Sequence, residues 1–535
     1  MNSSLNPFCL PDDCVKEMLC HLLGDYKALF SCALVNRSWC RSTIPLLWGD
    51  IFNGKFPSPR KRVSIISMYV KCLHEIQRKT LIDNNIIFQD DDFKPVLFDY
   101  PKYLKFLNCR HFDHALYAWC KKVIKPDINN IEFQNTLKIC NQIISHYILS
   151  HSTGLNTLCL GHHSSDGQCL MLLPSDKYPE GLCYTFSRLT ELHIDNWFPI
   201  ITQNISSVLL LFENLSLYSR RIKNFSITLN QISNLAYQPE VFKHLFSLIK
   251  SQYNLQSFTI TFPNNLDPSL FFSSLLNQSH SLKYLELIRF YDIPLLLSFL
   301  SSFNLDTLKL IYNNLITNSI PSLLPFLPSE TQFRIKNLFI SEANDSTLYP
   351  FFSLITKLSG SNLEKLYFDE CDETLTKTIG DHCLNLTSLS ITTSFSIFDY
   401  FLKSLSKLKK LKYLDVKKDR HDIQYTKEMI LQFAKIIPNS LEELDFDLIS
   451  DREHLNVFLK EFKIPLSKLS IYLHELNDEI FNFIIDYAIR TGNLKELCFS
   501  AQESFTMEVL LKAKNIIPII TDITEDDEEV RFVVV

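Results

Sequence analysis

Residues 363–368 read LEKLYF, residues 386–391 LTSLSI and residues 411–416 LKYLDV. Each is apolar, two variable, apolar, one variable, apolar. Successive side chains of a strand point to opposite faces, so the apolar positions turn inward and the variable ones outward. The phrase recurs as LNTLCL at 155, LTELHI at 189, LQSFTI at 255, LKYLEL at 282, LDTLKL at 305 and IKNLFI at 335. It continues as LEELDF at 441, LSKLSI at 466 and LKELCF at 494, with a poorer copy, IKNFSI, at 222. From 255 onward the starts lie 23 to 30 residues apart. Helical stretches with their own apolar stripe fill the intervals, at 268–276, 347–358, 427–437, 478–489 and 507–511. One strand and one helix cannot close a core, whereas stacked copies can. The pattern predicts an α/β chain in which 151–520 form a curved parallel sheet with outer helices.

These intervals bracket the period of leucine-rich repeats. Such repeats usually carry Asn or Cys shortly after the last strand leucine, and here only Asn313 and Cys371 sit near that place. The loops are therefore expected to be irregular. A parallel α/β domain of another kind is the structural alternative, but its loops need glycine-rich turns, and the chain has 10 glycines in 535 residues.

Residues 10–48 read LPDDCVKEMLCHLLGDYKALFSCALVNRSWCRSTIPLLW. Proline suits a first helical position, whose N–H has no intrahelical partner, and Asp12 and Asp13 suit the positive helix end. Val15, Met18, Leu19 and Leu22 form one apolar helical stripe, which Gly24-Asp25 ends. A second helix is expected through Leu29, Ala33 and Val35 to Trp39, and a third piece ending at Leu47-Trp48. Three short helices bury little surface alone and need a partner. The run resembles an F-box, through Leu10-Pro11 with Asp13, the stripe Val15/Met18/Leu22, Leu29, the series Val35, Arg37, Trp39, and Leu47-Trp48. Asn36 stands where that family usually has cysteine, and Cys14 and Val15 replace common leucines; Asn36 is expected to weaken packing locally. The resemblance implies that Leu10, Pro11, Val15, Met18, Leu22, Leu29, Val35, Trp39, Leu47 and Trp48 bind a Skp-type adaptor, and through it a cullin and a RING subunit. The array likewise resembles the leucine-rich repeats of F-box proteins more than the regular secreted type.

The expected organisation is an F-box at 8–50, a helical linker region at 51–150, the solenoid at 151–520 and an acidic tail at 521–535. Residues 55–62, KFPSPRKR, read as an extended, solvated connector rather than a nuclear-import signal. Helical patterns follow at 63–76 and 103–124. The second holds Cys109, His111, His114 and Cys120. The two histidines would share a helix face, as paired metal ligands do, but no Cys-x-x-Cys pair accompanies them, so a packed helix is the reading and no metal is expected.

Apolar residues make up 46% and charged residues 21%, as in folded soluble proteins. A formal net charge of −6 argues against nucleic-acid or membrane-surface binding by the whole chain. No secretory signal and no apolar run of roughly 18–20 residues is seen. Fifteen cysteines without framework spacing read as reduced thiols, which places the chain in cytosol or nucleus and leaves sequons such as Asn204, Asn277 and Asn385 idle. Hydrolase, phosphate-loop and zinc-protease motifs are absent. No cofactor and no catalytic residue are expected. His162-His163 and the run 525–529 read as solvated loop and tail.

The functional expectation is a substrate receptor of an SCF-type ubiquitin ligase, non-catalytic itself, that holds a target by its repeats. A non-degradative scaffold, or a repeat-fold enzyme inhibitor, is the alternative. The outward strand positions from 363 to 447 include Lys365, Tyr367, Asp369, Ser388, Ser390, Tyr413, Asp415, Lys417, Glu443, Asp445 and Asp447. Acids outnumber bases five to two on these positions. Tyr367, Asp369, Tyr413, Asp415, Glu443, Asp445 and Asp447 are the candidate target-binding residues, facing a basic partner segment.

Overall fold

The computed structural model describes residues 10–53, 59–88, 94–124, 130–161, 180–195, 205–228, 239–262, 267–290, 292–312, 331–341, 348–419, 425–449, 452–472, 477–500, 506–522 and 531–532. His162, His163, Asn204, Asn313 and the run 525–529 lie outside them. The chain divides into two compact units, Met1–Leu282 and Lys283–Val535.

The first unit opens with α1 (Asp12–Cys20), α2 (Tyr26–Ala33) and α3 (Arg37–Gly49). The Asp25 side chain caps α2 by accepting from the N–H groups of Lys27 and Ala28. Asn36 caps α3, its side chain accepting from the Trp39 N–H at 2.9 Å. The expected local weakening is thus corrected: a cap of this type is worth about 1 kcal/mol, and cysteine is no substitute for it. Ser38 at the start of α3 donates to Asp12 at the start of α1, 2.7 Å away. Val15, Leu19 and Leu29 form the core of the three helices, with Leu22, Trp39, Leu46 and Leu47 packed around it.

Trp48 faces the other way. Its ring meets the edge of Tyr69 at 5.3 Å and lies 4.2 Å from Tyr100. Tyr69 belongs to α4 (Pro59–Cys72), which is followed by α5 (Glu75–Asp83), α6 (Cys109–Val123) and α7 (Asn130–His151). Phe52 extends the contact to Tyr69 and Phe112, and the Lys105 N–H donates to the Gly49 carbonyl at 3.0 Å. The end of α3 is therefore bound into the helical region that follows it.

Strands β1 (Phe106–Asn108), β2 (Thr157–Gly161), β3 (Glu191–Asp195), β4 (Asn224–Thr228) and β5 (Ser257–Thr261) pair in parallel in chain order. Phe106 pairs with Thr157, so the sheet begins inside the segment read as linker. The cause is local: Leu107 is buried like the strand leucines that follow, but the three-residue strand is too short to show the phrase.

Buried polar side chains tie these repeats together at the turns before the strands. Ser219 donates to the Phe186 carbonyl at 2.8 Å, Gln252 to that of Ser219 at 2.7 Å, and Gln278 to that of Gln252 at 2.6 Å. Thr185 donates in the same way to Leu149 at 2.6 Å. A Ser/Thr/Gln ladder at the helix ends thus satisfies backbone carbonyls here, away from the strand ends where the sequence reading looked for Asn or Cys.

In the second unit β6 (Tyr284–Ile288), β7 (Thr307–Ile311), β8 (Asn337–Ser341), β9 (Lys365–Phe368), β10 (Ser388–Thr393), β11 (Tyr413–Lys418), β12 (Glu443–Asp447), β13 (Lys468–Tyr472), β14 (Glu496–Ser500) and β15 (Ile519–Asp522) pair in parallel. Strand β16 (Arg531–Phe532) pairs antiparallel with β15, within the segment read as tail. The register sets Leu285, Leu308, Leu338, Leu366, Leu389, Leu414, Leu444, Leu469 and Leu497 in one buried row. This is a leucine-rich-repeat solenoid of the expected α/β class. Part of the phenylalanine content is spent in one stack, Phe401–Phe433–Phe446–Phe458–Phe462, with centroids 4.6 to 6.2 Å apart.

A charge alternation precedes the strands, with Lys283 beside Asp306 at 3.9 Å, Lys336 beside Glu364 at 3.7 Å and Lys412 beside Glu442 at 2.8 Å. Each exposed pair is worth about 0–1 kcal/mol. Like charges would result from a wrong neighbour, so the alternation acts on register more than on stability.

Two helices of the second unit, Glu373–His382 and Phe398–Leu405, approach so closely that a Cβ on Gly380 would lie 2.7 Å from the Ser404 Cα. Alanine is the better helix former by about 1 kcal/mol, but a backbone neighbour yields less than a side-chain tip. We predict that Gly380→Ala destabilises this pair by about 2 kcal/mol net, read as faster amide exchange within 373–405. Unchanged or slower exchange would show that the helices stand farther apart.

Candidate protein-binding surfaces

The structure sorts the expected adaptor-binding residues into two groups. Leu10, Pro11, Met18 and Val35 are exposed, Val35 to 60%. Val15 and Leu29 are each 1% exposed and form the three-helix core, with Leu22, Trp39 and Leu47 packed around them. Trp48 is engaged by Tyr69 and Tyr100. Val15 and Leu29 are thus corrected from surface to core positions, because three short helices close a small core before any partner arrives; Trp48, outside that core, packs on the helical region that follows.

Three further apolar side chains are exposed that the sequence reading passed over: Leu23, Phe30 at 60% and Leu34 at 72%. Phe30 and Leu34 stand four residues apart at the end of α2, on one side of it. Their signal was available as apolar residues in excess of the buried stripe. With Leu10, Met18 and Val35 they make six exposed large apolar side chains within residues 10–35. Isolated exposed leucines are ordinary, but this density in so short a stretch makes it a candidate interaction surface.

The second surface is the polar face of the sheet in the unit Lys283–Val535. Register places Phe339, Tyr367, Ser390, Asp415, Asp445, Ser470 and Cys498 side by side on β8 to β14. Tyr413 lies beside Glu443, and Lys417 beside Asp447. The Phe339 and Tyr367 rings are 6.4 Å apart, and the Tyr367 hydroxyl donates to Asp369. The candidate target-binding residues therefore do share one face, in two adjoining groups.

Asp415 departs from expectation, its side chain being only 9% exposed. It accepts from the Ser390 hydroxyl at 2.6 Å and lies 3.5 Å from the Lys417 ammonium. Asp445, beside it, is half-buried and accepts from the Tyr472 hydroxyl at 3.5 Å. Burial, and then the negative charge of Asp415, push the Asp445 carboxyl up to about 6, against the pull of Tyr472, Lys417 and Lys468. Burial first, then Asp415, Asp445 and Glu443, raise the Tyr413 phenol. A lysine at 415 would bury an ammonium, so Asp415 is unsuited to charge reversal.

The helix residues read as possible ligands separate. Cys109 and Cys120 are buried, and His111 Nδ1 lies 2.9 Å from the Phe52 carbonyl oxygen. Among the described residues no cluster of three or more His, Cys, Asp or Glu is placed to hold a metal ion, every cysteine is a free thiol, and no helix is long and apolar enough to cross a membrane.

No protein-family model matches the chain, and no curated protein matches its sequence. Solved structures with some likeness include the yeast complex of Rad7 and Elc1, at 15% identity over 56% of this chain and 74% of that one, with a TM-score of 0.37. A Bacteroides fragilis protein aligns at 14% identity over 57% and 76%, with a TM-score of 0.27. The leucine-rich repeat-containing protein LegL7 of Legionella pneumophila aligns at 11% over 70% and 93%, with a TM-score of 0.26. The leucine-rich-repeat assignment rests on the strand register described above.

Asp445 makes stability depend on pH. Its carboxyl titrates near 6 when folded, against 3.8 as the ordinary value. The folded chain therefore holds a proton that the unfolded chain releases between these values. The stabilisation is complete below pH 3.8 and lost as pH rises through about 6, on the order of 3 kcal/mol. Asp445→Asn should raise the urea midpoint of this unit at pH 7.5 and flatten the difference between pH 4.5 and 7.5. A variant with the wild-type pH dependence would refute this.

Proposed function

We propose that the chain is the substrate-recognition subunit of an SCF-type ubiquitin ligase. Its N-terminal helices bind a Skp-type adaptor, which joins it to a cullin and a RING subunit, and its repeats hold a protein target. The observation that carries this reading is the exposed apolar set Leu10, Met18, Leu23, Phe30, Leu34 and Val35, on and around the first two helices of a stretch whose sequence resembles an F-box, in one chain with leucine-rich repeats. Apolar side chains left in water by their own small core gain about 1.5–3 kcal/mol each when a partner covers them fully. The chain itself forms no bond in this scheme. It raises the local concentration of a target lysine near the conjugating enzyme. The cytosol or nucleus is the compartment such an assembly requires.

Core and surface residues of the helices give separable outcomes. Phe30→Asp with Leu34→Asp should weaken capture of a purified Skp-type adaptor at least about 100-fold, the loss of two such burials, while the helical content of the chain is kept. Val15→Ala should weaken it by loosening the three helices themselves, at about 2 kcal/mol of cavity cost. Adaptor capture unaltered by the Phe30/Leu34 double variant would sink the assignment. Capture of adaptor without ubiquitin transfer to any bound protein would favour a non-degradative scaffold.

A further inference from the structure

We propose that Asp415 and Asp445 form a proton-sharing carboxyl pair that takes one basic side chain of a target in exchange for its proton. This rests on the reading that the repeats bind a protein, and adds the chemistry of one subsite. The two residues are register partners on β11 and β12. Asp415 Oδ1 and Asp445 Oδ1 are both buried, and neither has a hydrogen-bond partner. Orphaned carboxylate oxygens on two adjacent residues are costly, because buried acceptors need donors and like charges repel. A single proton held by one carboxyl and donated to the other removes both penalties.

The surroundings do not neutralise the pair. On β11, Lys417 stands 3.5 Å from Asp415, and Tyr413 lies two residues to the other side. On β12, Glu443 and Asp447 flank Asp445 and add negative charge. On β13, Lys468 is engaged by Glu496 at 2.7 Å, and Tyr472 offers one hydroxyl to Asp445. Neighbours in the same row, Ser390 on β10 and Ser470 on β13, carry no charge, and Cys498 on β14 lies beyond Ser470. Among the described residues, Lys417 and Lys468 are the cations that act on Asp445, and Lys468 is shared with Glu496. Half-buried Asp445 is the member that a partner can reach, with Tyr413 and Tyr472 on the same face to contact the stem or charge of a basic side chain. A guanidinium or ammonium placed there favours the ionised carboxyl, and the proton leaves to solvent.

The linkage sets the test. With the carboxyl titrating near 6, the ionised, binding-competent fraction falls about fourfold from pH 7.5 to 5.5. The probes are two libraries of nine-residue peptides with uncharged random flanks, one centred on Arg and one on citrulline, presented to the full chain. The Arg library should exceed the citrulline library by about tenfold at pH 7.5, a desolvated charge pair being worth about 1.4 kcal/mol or more. That preference should shrink about fourfold at pH 5.5. In Asp445→Asn, checked for native helical content, it should be small and independent of pH. An Arg preference that persists in Asp445→Asn, or is equal at both pH values, overturns the subsite and leaves the repeats as a protein-binding surface. Equal binding of both libraries does the same. Binding of neither at millimolar peptide overturns the subsite and the reading of this face together.

Discussion

The row of leucines that stacks from strand to strand is the constraint on which the rest depends. Leu285 lies beside Leu308, that beside Leu338, and so on to Leu497, each buried and each on a strand too short to be stable by itself. One repeat has no inside until its neighbours supply it. The register that aligns the leucines also aligns whatever occupies the alternate positions. A row of variable residues is thereby converted into a continuous polar face, and two aspartates 30 residues apart become immediate neighbours. The charge alternation of Lys283, Asp306, Lys336 and Glu364 before the strands reinforces the same register. What is local and weak in each repeat becomes collective in the stack.

The N-terminal helices answer the opposite problem. With Val15, Leu19 and Leu29 as their only fully buried large apolar residues, they close a core but cannot cover their own surface. Trp48 and Phe52 fasten them to the helices that follow, through Tyr69, Tyr100 and Phe112. Phe30 and Leu34, at the far end of α2, are left in water. Attachment at one end and an uncovered apolar surface at the other are the features on which the adaptor proposal rests.

Much of this was legible in the residues. The strand phrase predicted the α/β class, the parallel order and the inward and outward positions, because a period of two is imposed directly by strand geometry. Helix positions such as 427–437 and 478–489 agree with Lys427–Ile436 and Asp478–Thr491. The first strand, Phe106–Asn108, was hidden by its shortness. Asn36 departs from a family pattern, but its place before a helix makes its side chain an ordinary cap. A stripe is what a small helical core needs first, so Val15 and Leu19 are buried, and of the stripe of α1 Met18 alone joins the exposed contact candidates. Face assignment also does not give depth: Asp415 and Asp445 share a row, but Ser390 and Lys417 draw the former into the sheet. The Ser/Thr/Gln ladder of Thr185, Ser219, Gln252 and Gln278 falls at helix ends, where no strand-based motif directs attention.

The central claim is that one chain joins an adaptor, held by its first helices, to a target held by its repeats. Hydrogen–deuterium exchange of the full chain with and without a purified Skp-type adaptor tests it most directly. The account predicts slowed exchange confined to residues 10–35, with the strands between 284 and 522 exchanging as in the free chain. Protection spread over those strands, or none anywhere at saturating adaptor, would contradict it.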